Sequence, residues 1–289
     1  MTVYKKTGYL PEDFRVFHLT DENPFEVDFH YHDFHKILII LRGNLSYNIE
    51  GRTYDLRTND VIFVGAGEVH RPILHDASPY ERIIIYVSKD YLASYRTKDA
   101  DLSLCFSNEE RNHSHVLRIP GFSTTKLGQL VRELEDSFDS DDYAAELYHN
   151  ALFLTFLIQL NRTMLQNRGD CMTSSSTTGK MPHVIDYINA HLTEELSIDG
   201  LAEKFYMSRF YLMHTFKEET GYSIGNYIST KRLLLAKELI SGGTPVTIAC
   251  NACGFHNYSS FFRAYKKQFH TAPAAEKTTS LTAYSLEVE

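Results

Sequence analysis

One pattern of capping and apolar residues occurs twice near the end of this 289-residue chain, and the two copies are 49 residues apart. The first copy consists of Ser208, Leu212, Phe216, Lys217 and Gly221, and the second of Asn257, Phe261, Tyr265, Lys266 and His270. Serine and asparagine are good helix N-caps, and apolar residues four positions apart share one helical stripe. A glycine can end a helix in a left-handed conformation. Each copy therefore predicts a short capped helix.

A further short helical pattern precedes each copy, over residues 197–205 and 246–253, and a tight break follows it. Helix, sharp turn and second helix together make a helix-turn-helix unit. Between the two units, Ile224 to Ile240 is an apolar-periodic run closed by glycines and a proline at 242–245. At about 1.5 Å per residue, it predicts a connecting helix of roughly 25 Å. That length suits two recognition helices near the ~34 Å repeat of the major groove.

Several features of this region recur in one known family. They are Leu201, Ala202, Ser208, Phe216, Lys217, Gly221, Ile248, Ala249, Gly254, Phe255, Phe261 and Pro273, in their mutual spacing. With them the region resembles the DNA-binding domain of AraC/XylS-type transcription regulators, over about a third of the chain. His270 stands where that family usually has glycine, and Glu276-Lys277 where a Tyr-Arg ending is common. The resemblance implies a bacterial regulator whose residues 182–277 bind two successive major grooves of double-stranded DNA.

The face of the first recognition helix opposite Leu212 and Phe216 carries candidate base readers. They are Arg209, Phe210, Met213, His214 and Lys217. Histidine can donate to a base acceptor, phenylalanine can pack on a thymine methyl, and arginine or lysine can pair with guanine or phosphate. Because Phe210 and Met213 are apolar, the competing interpretation is that they pack against a neighbouring domain.

The second recognition helix offers a more polar set of candidate readers. They are Tyr258, Ser259, Arg263, Lys266 and Lys267. Arg263 is the strongest, since a guanidinium can bond guanine O6 and N7 together, whereas the two lysines suit phosphates. The alternative for Arg263 is a solvated surface arginine.

The overall composition does not by itself indicate a DNA-binding protein. The net charge of the chain is −8. Residues 181–275 hold nine Lys/Arg against eight Asp/Glu, an excess of positive charge smaller than is usual for a DNA-binding domain. No apolar run is long enough for a membrane span, and the first residues lack the apolar core of a secretory signal. We expect a cytoplasmic protein without membrane contact.

The four cysteines do not form an obvious chemical site. Cys105, Cys171, Cys250 and Cys253 are too few and too irregular for a disulfide framework. Cys250-x-x-Cys253 lies in the apolar register of a helix, with no second Cys/His pair nearby. We interpret this pair as core residues rather than as a zinc or redox site.

The front of the chain is typical of a small all-β domain. The strand-like segments are Lys36–Leu41, Leu45–Ile49, Val61–Val64 and Glu81–Val87, separated by turn residues at intervals of about ten. This spacing favours a jelly-roll or cupin architecture. Two stretches resemble cupin motifs: His30-x-His32 with Lys36 and Gly43, and Asp60 through Gly65-x-Gly67 to His70.

Four of these residues are candidate effector ligands: His30, His32, Lys36 and His70. Metal-binding cupins have glutamate at the position of Lys36, and an ammonium group would repel a divalent cation and could not ligate it. The sequence thus predicts a degraded metal site, without metal or other cofactor. Its donors suit a hydroxylated or anionic effector, and the family resemblance suggests a sugar or related metabolite.

Three other interpretations of the front domain stay open. The histidines can be rim residues without a specific role, or the domain can be a ligand-independent dimerisation module. In the third, His30, His32 and His70 hold a metal, and the protein is a metal-dependent cupin enzyme or metal sensor with an accessory helical domain. Because Lys36 argues against that metal, we expect no enzyme activity.

Residues 123–168 turn helical and carry two apolar stripes. The first contains Leu127, Leu130, Val131, Leu134 and Phe138, and the second contains Leu147, Ala151, Leu154, Leu157, Ile158 and Leu165. The stripes can pack on the domain's own barrel or form a homodimer seam, and the family resemblance favours the seam. It also implies a contact with RNA polymerase.

The expected fold is a multidomain one with α and β parts. A cupin-like β-barrel with two packing or dimerisation helices occupies residues 1–168, and a flexible linker rich in Ser, Thr and Gly occupies 169–181. An all-α tandem helix-turn-helix domain follows at 182–277, and 278–289 form a tail. The predicted protein is a transcription regulator that senses a small molecule.

Overall fold

The computed structural model describes residues 8, 10, 12–23, 26–107, 114–138, 142–166 and 179–275. The chain divides into a front unit within residues 6–178 and a rear unit from residue 179 onward. Most of the predicted linker, residues 169–181, and all of the predicted tail, 278–289, lie outside the described residues. The domain boundaries therefore stay a prediction.

In its described residues the front unit contains two antiparallel sheets, three α-helices and two short 3-10 helices. Its elements are β1 (Phe14–Asp21), β2 (His35–Arg42), β3 (Leu45–Ile49), β4 (Arg52–Asp55), β5 (Asp60–Val64), β6 (His70–Leu74), β7 (Tyr80–Val87), α1 (Lys89–Ser94), β8 (Val116–Arg118), α2 (Lys126–Ser137) and α3 (Ala145–Gln166). One sheet has the strand order β1-β7-β2-β5-β8 and the other has β4-β3-β6. The four predicted strands are confirmed as β2, β3, β5 and β7.

The central strands of the five-stranded sheet are buried on both faces of the sheet. On β2, Leu38 and Ile40 pack towards the three-stranded sheet, in a core that includes Tyr47 of β3. Ile37 and Ile39 alternate with them and pack on the other face, in a second core that includes residues of α2 and α3. Because successive side chains of a strand point to opposite faces, both faces require apolar residues. This explains the long β-branched runs in the sequence.

The two apolar stripes predicted for residues 123–168 differ in how far they are buried. Leu127, Leu130, Val131 and Leu134 of α2 are buried, whereas Phe138 is exposed. On α3, the face that packs into the core is formed by Leu152, Phe153, Phe156, Leu157, Leu160 and Met164. Leu157 is the only fully buried member of the predicted α3 stripe. Leu154 is half-buried, and Leu147, Ala151, Ile158 and Leu165 are exposed. Most of that stripe therefore faces away from the core of the front unit.

The rear unit is all-helical, as predicted. Its helices are α4 (Met181–Ala190), α5 (Ile198–Lys204), α6 (Arg209–Thr220), α7 (Ile224–Ser241), α8 (Val246–Ala252) and α9 (Tyr258–Phe269). The recognition helices α6 and α9 begin and end at positions 49 residues apart. The N-caps Ser208 and Asn257 accept from the backbone N–H groups of Tyr211 and Ser260. The duplicated sequence pattern thus corresponds to a duplicated structure.

Left-handed residues end both recognition helices. Gly221 has a φ of 76° and His270 a φ of 60°, and their N–H groups donate to the carbonyls of Lys217 and Lys266. Left-handed backbone suits glycine, because a Cβ atom crowds the following carbonyl oxygen. The unusual histidine in the sequence therefore occupies a strained position and still ends its helix.

Arg232 of α7 connects both helix-turn-helix units. Its guanidinium donates to the carbonyls of Leu192 (2.7 Å) and Glu194 (2.6 Å) before α5, and to that of Gly254 (2.9 Å) after α8. Gly254 has a φ of 81°, and a Cβ there would lie 3.0 Å from the guanidinium. The turn between α8 and α9 therefore needs glycine at position 254, both for the close approach of Arg232 and for the positive φ of the backbone.

Cys250 and Cys253 are buried in the core that α7, α8 and α9 share. Burial raises the pKa of the Cys253 thiol to about 11, so that this group stays protonated. The interpretation of the pair as core residues is confirmed, while Cys171 lies outside the described residues. Among the helices that the structure describes, none is both long and apolar enough to cross a membrane.

We predict that His270→Gly stabilises the rear unit by about 1 kcal/mol. Glycine has no Cβ atom, so the crowding between Cβ and the carbonyl oxygen in left-handed backbone is relieved. The measurement is the free energy of unfolding from the urea transition of that unit in the full chain. Gly221→Ala is the matched control at the equivalent position and should destabilise the unit by a similar amount. A loss of stability in His270→Gly would contradict this account of the cap.

Candidate effector site and DNA-binding face

Three histidines meet at one end of the two sheets. His30 and His32 lie on the segment before β2, and His70 begins β6. The His30 N–H donates to the His70 carbonyl (3.2 Å), and the His70 N–H to the His30 carbonyl (2.9 Å). The ring centroids lie 4.4 Å apart for His30 and His70, 4.9 Å for His32 and His70, and 5.2 Å for His30 and His32. The sequence prediction that these residues form one cluster is confirmed in geometry.

Backbone carbonyls fix the orientation of two of the rings. Nδ1 of His30 donates to the Asp28 carbonyl (2.8 Å) and Nδ1 of His70 to the Glu68 carbonyl (2.9 Å). Since a carbonyl only accepts, the proton lies on Nδ1 and the lone pair on Nε2. Nε2 of His70 is buried and has no hydrogen-bond partner among the described residues. The pKa of His70 lies well below its usual value because of burial and of the nearby Lys36 charge. A neutral acceptor thus points into the cluster.

Lys36 extends this cluster along the inner face of β2. Its Nζ donates to the Tyr47 hydroxyl (3.2 Å) and forms no ion pair with any described residue. Burial, followed by the positive charge of Arg82, lowers the pKa of Lys36 to about 7. A buried amine without a carboxylate is costly, and an incoming anion would relieve that cost.

Aromatic rings form the walls beside the cluster. Phe34 stacks on His32 (4.7 Å between centroids) and lies 4.5 Å from Tyr86. Tyr86 of β7 is the cross-strand partner of Lys36. A Cβ added to Gly8 would lie 3.2 Å from the Phe34 ring, so the backbone of Gly8 also borders the cluster. Tyr47 and Tyr86 were not among the predicted site residues, although both follow the inward alternation of their strands.

The donor set fits two chemistries to different degrees. One ligand atom from each of the three histidines lies within 4.8 Å of the others, a spacing that suits a transition metal. The next inward group on β2 is the amine of Lys36, where a metal centre would gain from a carboxylate. The imidazoles therefore fit a metal, whereas the electrostatics of the wider cluster suit an anion or a hydroxylated molecule.

The candidate readers of α6 form one exposed stripe. Phe210, Met213, His214 and Lys217 recur at helical spacing, opposite the buried Leu212 and Phe216. Phe210 is 79% exposed and Met213 is 43% exposed. The Arg209 guanidinium donates to both carboxylate oxygens of Asp199 (2.7 Å each), and Nδ1 of His214 lies 3.2 Å from Glu218. Phe210 and Met213 are exposed within the rear unit, and the alternative that they pack against a neighbouring domain stays open.

The candidate readers of α9 are also exposed, opposite the buried Phe261 and Tyr265. They comprise Tyr258, Ser259, Arg263, Lys266 and Lys267. Arg263 donates through Nε to the carbonyl of Ser259 (3.3 Å) and forms no ion pair with a described residue. The guanidinium therefore keeps most of its donors available. Tyr206 and Tyr211 are exposed as well, which the sequence analysis did not anticipate.

Two family models match the chain. The one described as an AraC-like ligand binding domain matches residues 17–157, and the one described as a helix-turn-helix domain matches residues 201–278. The first match includes all four candidate effector ligands, and the second includes both recognition helices.

Among similar curated proteins is the HTH-type transcriptional activator RhaS of Citrobacter koseri, 24% identical over 251 residues, with 84% of this chain and 85% of that protein covered. RhaS of Escherichia fergusonii is 26% identical over 247 residues, with the same coverage of both chains.

Among solved structures, ToxT from Vibrio cholerae is 14% identical, with 92% of this chain and 97% of that chain covered at a TM-score of 0.37. The DNA-binding domain of AdpA in complex with a target DNA is 25% identical, with 34% and 88% covered at a TM-score of 0.32. The two family matches together span about three quarters of the sequence, in the order of the two structural units. The chain therefore belongs to the AraC family of transcription regulators, with an AraC-like ligand-binding domain in front of a helix-turn-helix domain.

Proposed function

We propose that this protein is a cytoplasmic, effector-controlled transcription regulator that reads two successive major grooves of double-stranded DNA through α6 and α9. The observation that carries the proposal is the duplicated, capped recognition helix on the same chain as a buried donor cluster. Since the similar RhaS proteins are named transcriptional activators, we infer that this protein activates transcription through contact with RNA polymerase. DNA binding regulated by a small molecule accounts for both units, and enzyme chemistry accounts only for the front one.

The effector is proposed to bind at His30, His32, Lys36 and His70. Lys36 and Tyr47 supply hydrogen-bond donors, and the buried amine has no carboxylate partner in the part of the chain that the structure describes. A carboxylate, phosphate or hydroxyl group of the effector would complete this hydrogen bonding without a metal. A sugar or related metabolite that carries such a group fits this chemistry.

The second candidate function is a metal sensor or a metal-dependent cupin enzyme with an accessory helical domain. The specific observation in its favour is the convergence of the three histidine ligand atoms within 4.8 Å. When bound, a transition metal would supply a Lewis acid, and His30, His32 and His70 would hold it. Metal content therefore separates the two candidates.

A homodimer is proposed to form along the exposed stripe of α3. Leu147, Ala151, Leu154, Ile158 and Leu165 are spaced by four and three residues for most of the helix, which is the heptad spacing of a coiled-coil seam. Leu147 is 71% exposed and Ile158 is 40% exposed, on the side away from the buried face. Contact with the same helix of a second copy would remove this apolar stripe from water.

Lys36→Met should abolish effector binding and leave the front unit folded, because methionine is an unbranched side chain only one atom shorter and lacks the donor. The measurement is a thermal-shift screen of carboxylated, phosphorylated and hydroxylated metabolites. A ligand at a hundredfold excess over its Kd should stabilise the wild type by about 2.7 kcal/mol. Lys89→Met, on the exposed start of α1, is the control and should keep the shift. Stoichiometric zinc, iron or manganese that is lost in His70→Ala would favour the metal candidate instead.

Arg263→Ala should weaken binding to a DNA site selected from a random library by about 1–3 kcal/mol and relax specificity at one base pair. Lys267→Ala should weaken binding to selected and scrambled DNA alike, as expected of a phosphate contact. It should also reduce the slope of log K against log salt concentration by about one in magnitude. Fluorescence anisotropy over a range of salt concentrations measures both effects. Equal losses on both DNAs for Arg263→Ala would make Arg263 a phosphate contact.

Ile158→Lys should shift the protein from dimer to monomer, because the charge would be buried at the centre of the proposed seam. Thr155→Lys is the matched control, since Thr155 is exposed on the same helix outside the stripe. Sedimentation equilibrium gives the mass, and circular dichroism verifies that both variants are folded. The seam is wrong if Ile158→Lys stays dimeric, or if the wild type is a monomer at micromolar concentration.

A further inference from the structure

The two recognition helices present different chemistry at equivalent positions. The 49-residue shift aligns Phe210, Met213, His214 and Lys217, here the first reader face, with Ser259, Phe262, Arg263 and Lys266, the second reader face. The buried sides of α6 and α9 are alike, since each packs two large apolar residues four positions apart. The difference therefore lies in what each helix offers to a partner and not in how it is held.

The first reader face is apolar at its start. Phe210 lies in the first turn of α6, 79% exposed, and Met213 follows one turn later. The Phe210 ring lies 5.9 Å from the His214 ring and stacks on it, so an aromatic surface extends along the first two turns of the helix. In helix-turn-helix proteins the first turns of the recognition helix approach the base edges. An apolar group at this position costs solubility unless a partner covers it.

Most of the polar groups near this surface already have protein partners. Both carboxylate oxygens of Asp199 accept from Arg209, and Glu218 pairs with His214. Lys217 lies in the last turn of α6, where it suits a phosphate. On the second reader face, Arg263 has no carboxylate partner among the described residues. Hydrogen bonds to bases are thus easier to form from α9 than from α6.

In the major groove, the apolar group that distinguishes a base is the C5 methyl of thymine. We propose that α6 reads thymine methyl groups through Phe210 and Met213, while α9 reads guanine through Arg263. The inference rests on the proposed function, in which both helices enter successive major grooves. It assigns an asymmetric operator, with thymines in the half facing α6 and guanine in the half facing α9.

The test uses the full-length protein and a DNA site selected from a random library. Each thymine of the site is replaced in turn by deoxyuridine, which lacks the methyl group and keeps every hydrogen-bonding group. At one or two thymines in one half of the site, the wild type should bind about fourfold more weakly for each methyl removed. Phe210→Ala should bind the unmodified site more weakly and lose this difference between thymine and deoxyuridine at the same positions.

Three control variants separate the thymine contacts from other effects. Phe210→Leu keeps an apolar group and should keep a preference for thymine. Arg263→Ala and Lys217→Ala should bind more weakly overall and keep the full deoxyuridine effect, because neither removes the methyl contact. A wild type that binds the selected DNA and tolerates deoxyuridine at every position would overturn the inference and leave the proposed function intact. Failure to select or bind any DNA would instead contradict the proposed function.

Discussion

The burial of the five-stranded sheet on both faces is the constraint on which the front unit depends. The middle positions of its central strands are mostly apolar, since one face meets the three-stranded sheet and the other meets α2 and α3. On β2, Lys36 is buried and is followed directly by four apolar buried residues, Ile37 to Ile40. A lysine in such a place is costly to stability. Its position beside three buried histidines makes a binding role the simplest physical reason for it.

In the rear unit, the residues that cap and pack the recognition helices are different from those on their exposed faces. The same cap positions, buried apolar pair and left-handed end recur in both recognition helices. Arg232 joins the two helix-turn-helix units through hydrogen bonds to three backbone carbonyls. These bonds do not depend on the side chains of the residues that supply the carbonyls. The exposed faces are thus free to differ. A duplicated scaffold can therefore carry one apolar reader face and one cationic reader face without loss of fold.

The same separation applies to α3. Its core-facing residues secure the helix on the front unit, whereas only Leu154 of the second apolar stripe packs against that core. An apolar stripe opposite a buried face is unfavourable for a monomer and favourable for a coiled-coil seam. In the proposed function, effector binding, self-association and DNA reading fall on different surfaces of the chain. We expect a single substitution to remove each of them and to leave the other two in place.

The sequence by itself determined the elements whose signals are local. Capping residues and helical periodicity placed α5 to α9, and β-branched runs placed β2, β3, β5 and β7, because backbone preferences act over a few residues. Only the tertiary structure decided which apolar stripe of α3 is buried, and that Tyr47 faces Lys36 from the other sheet. It also decided that Asp199 engages Arg209. Such pairings join residues that meet only when the chain folds, so no local pattern carries them.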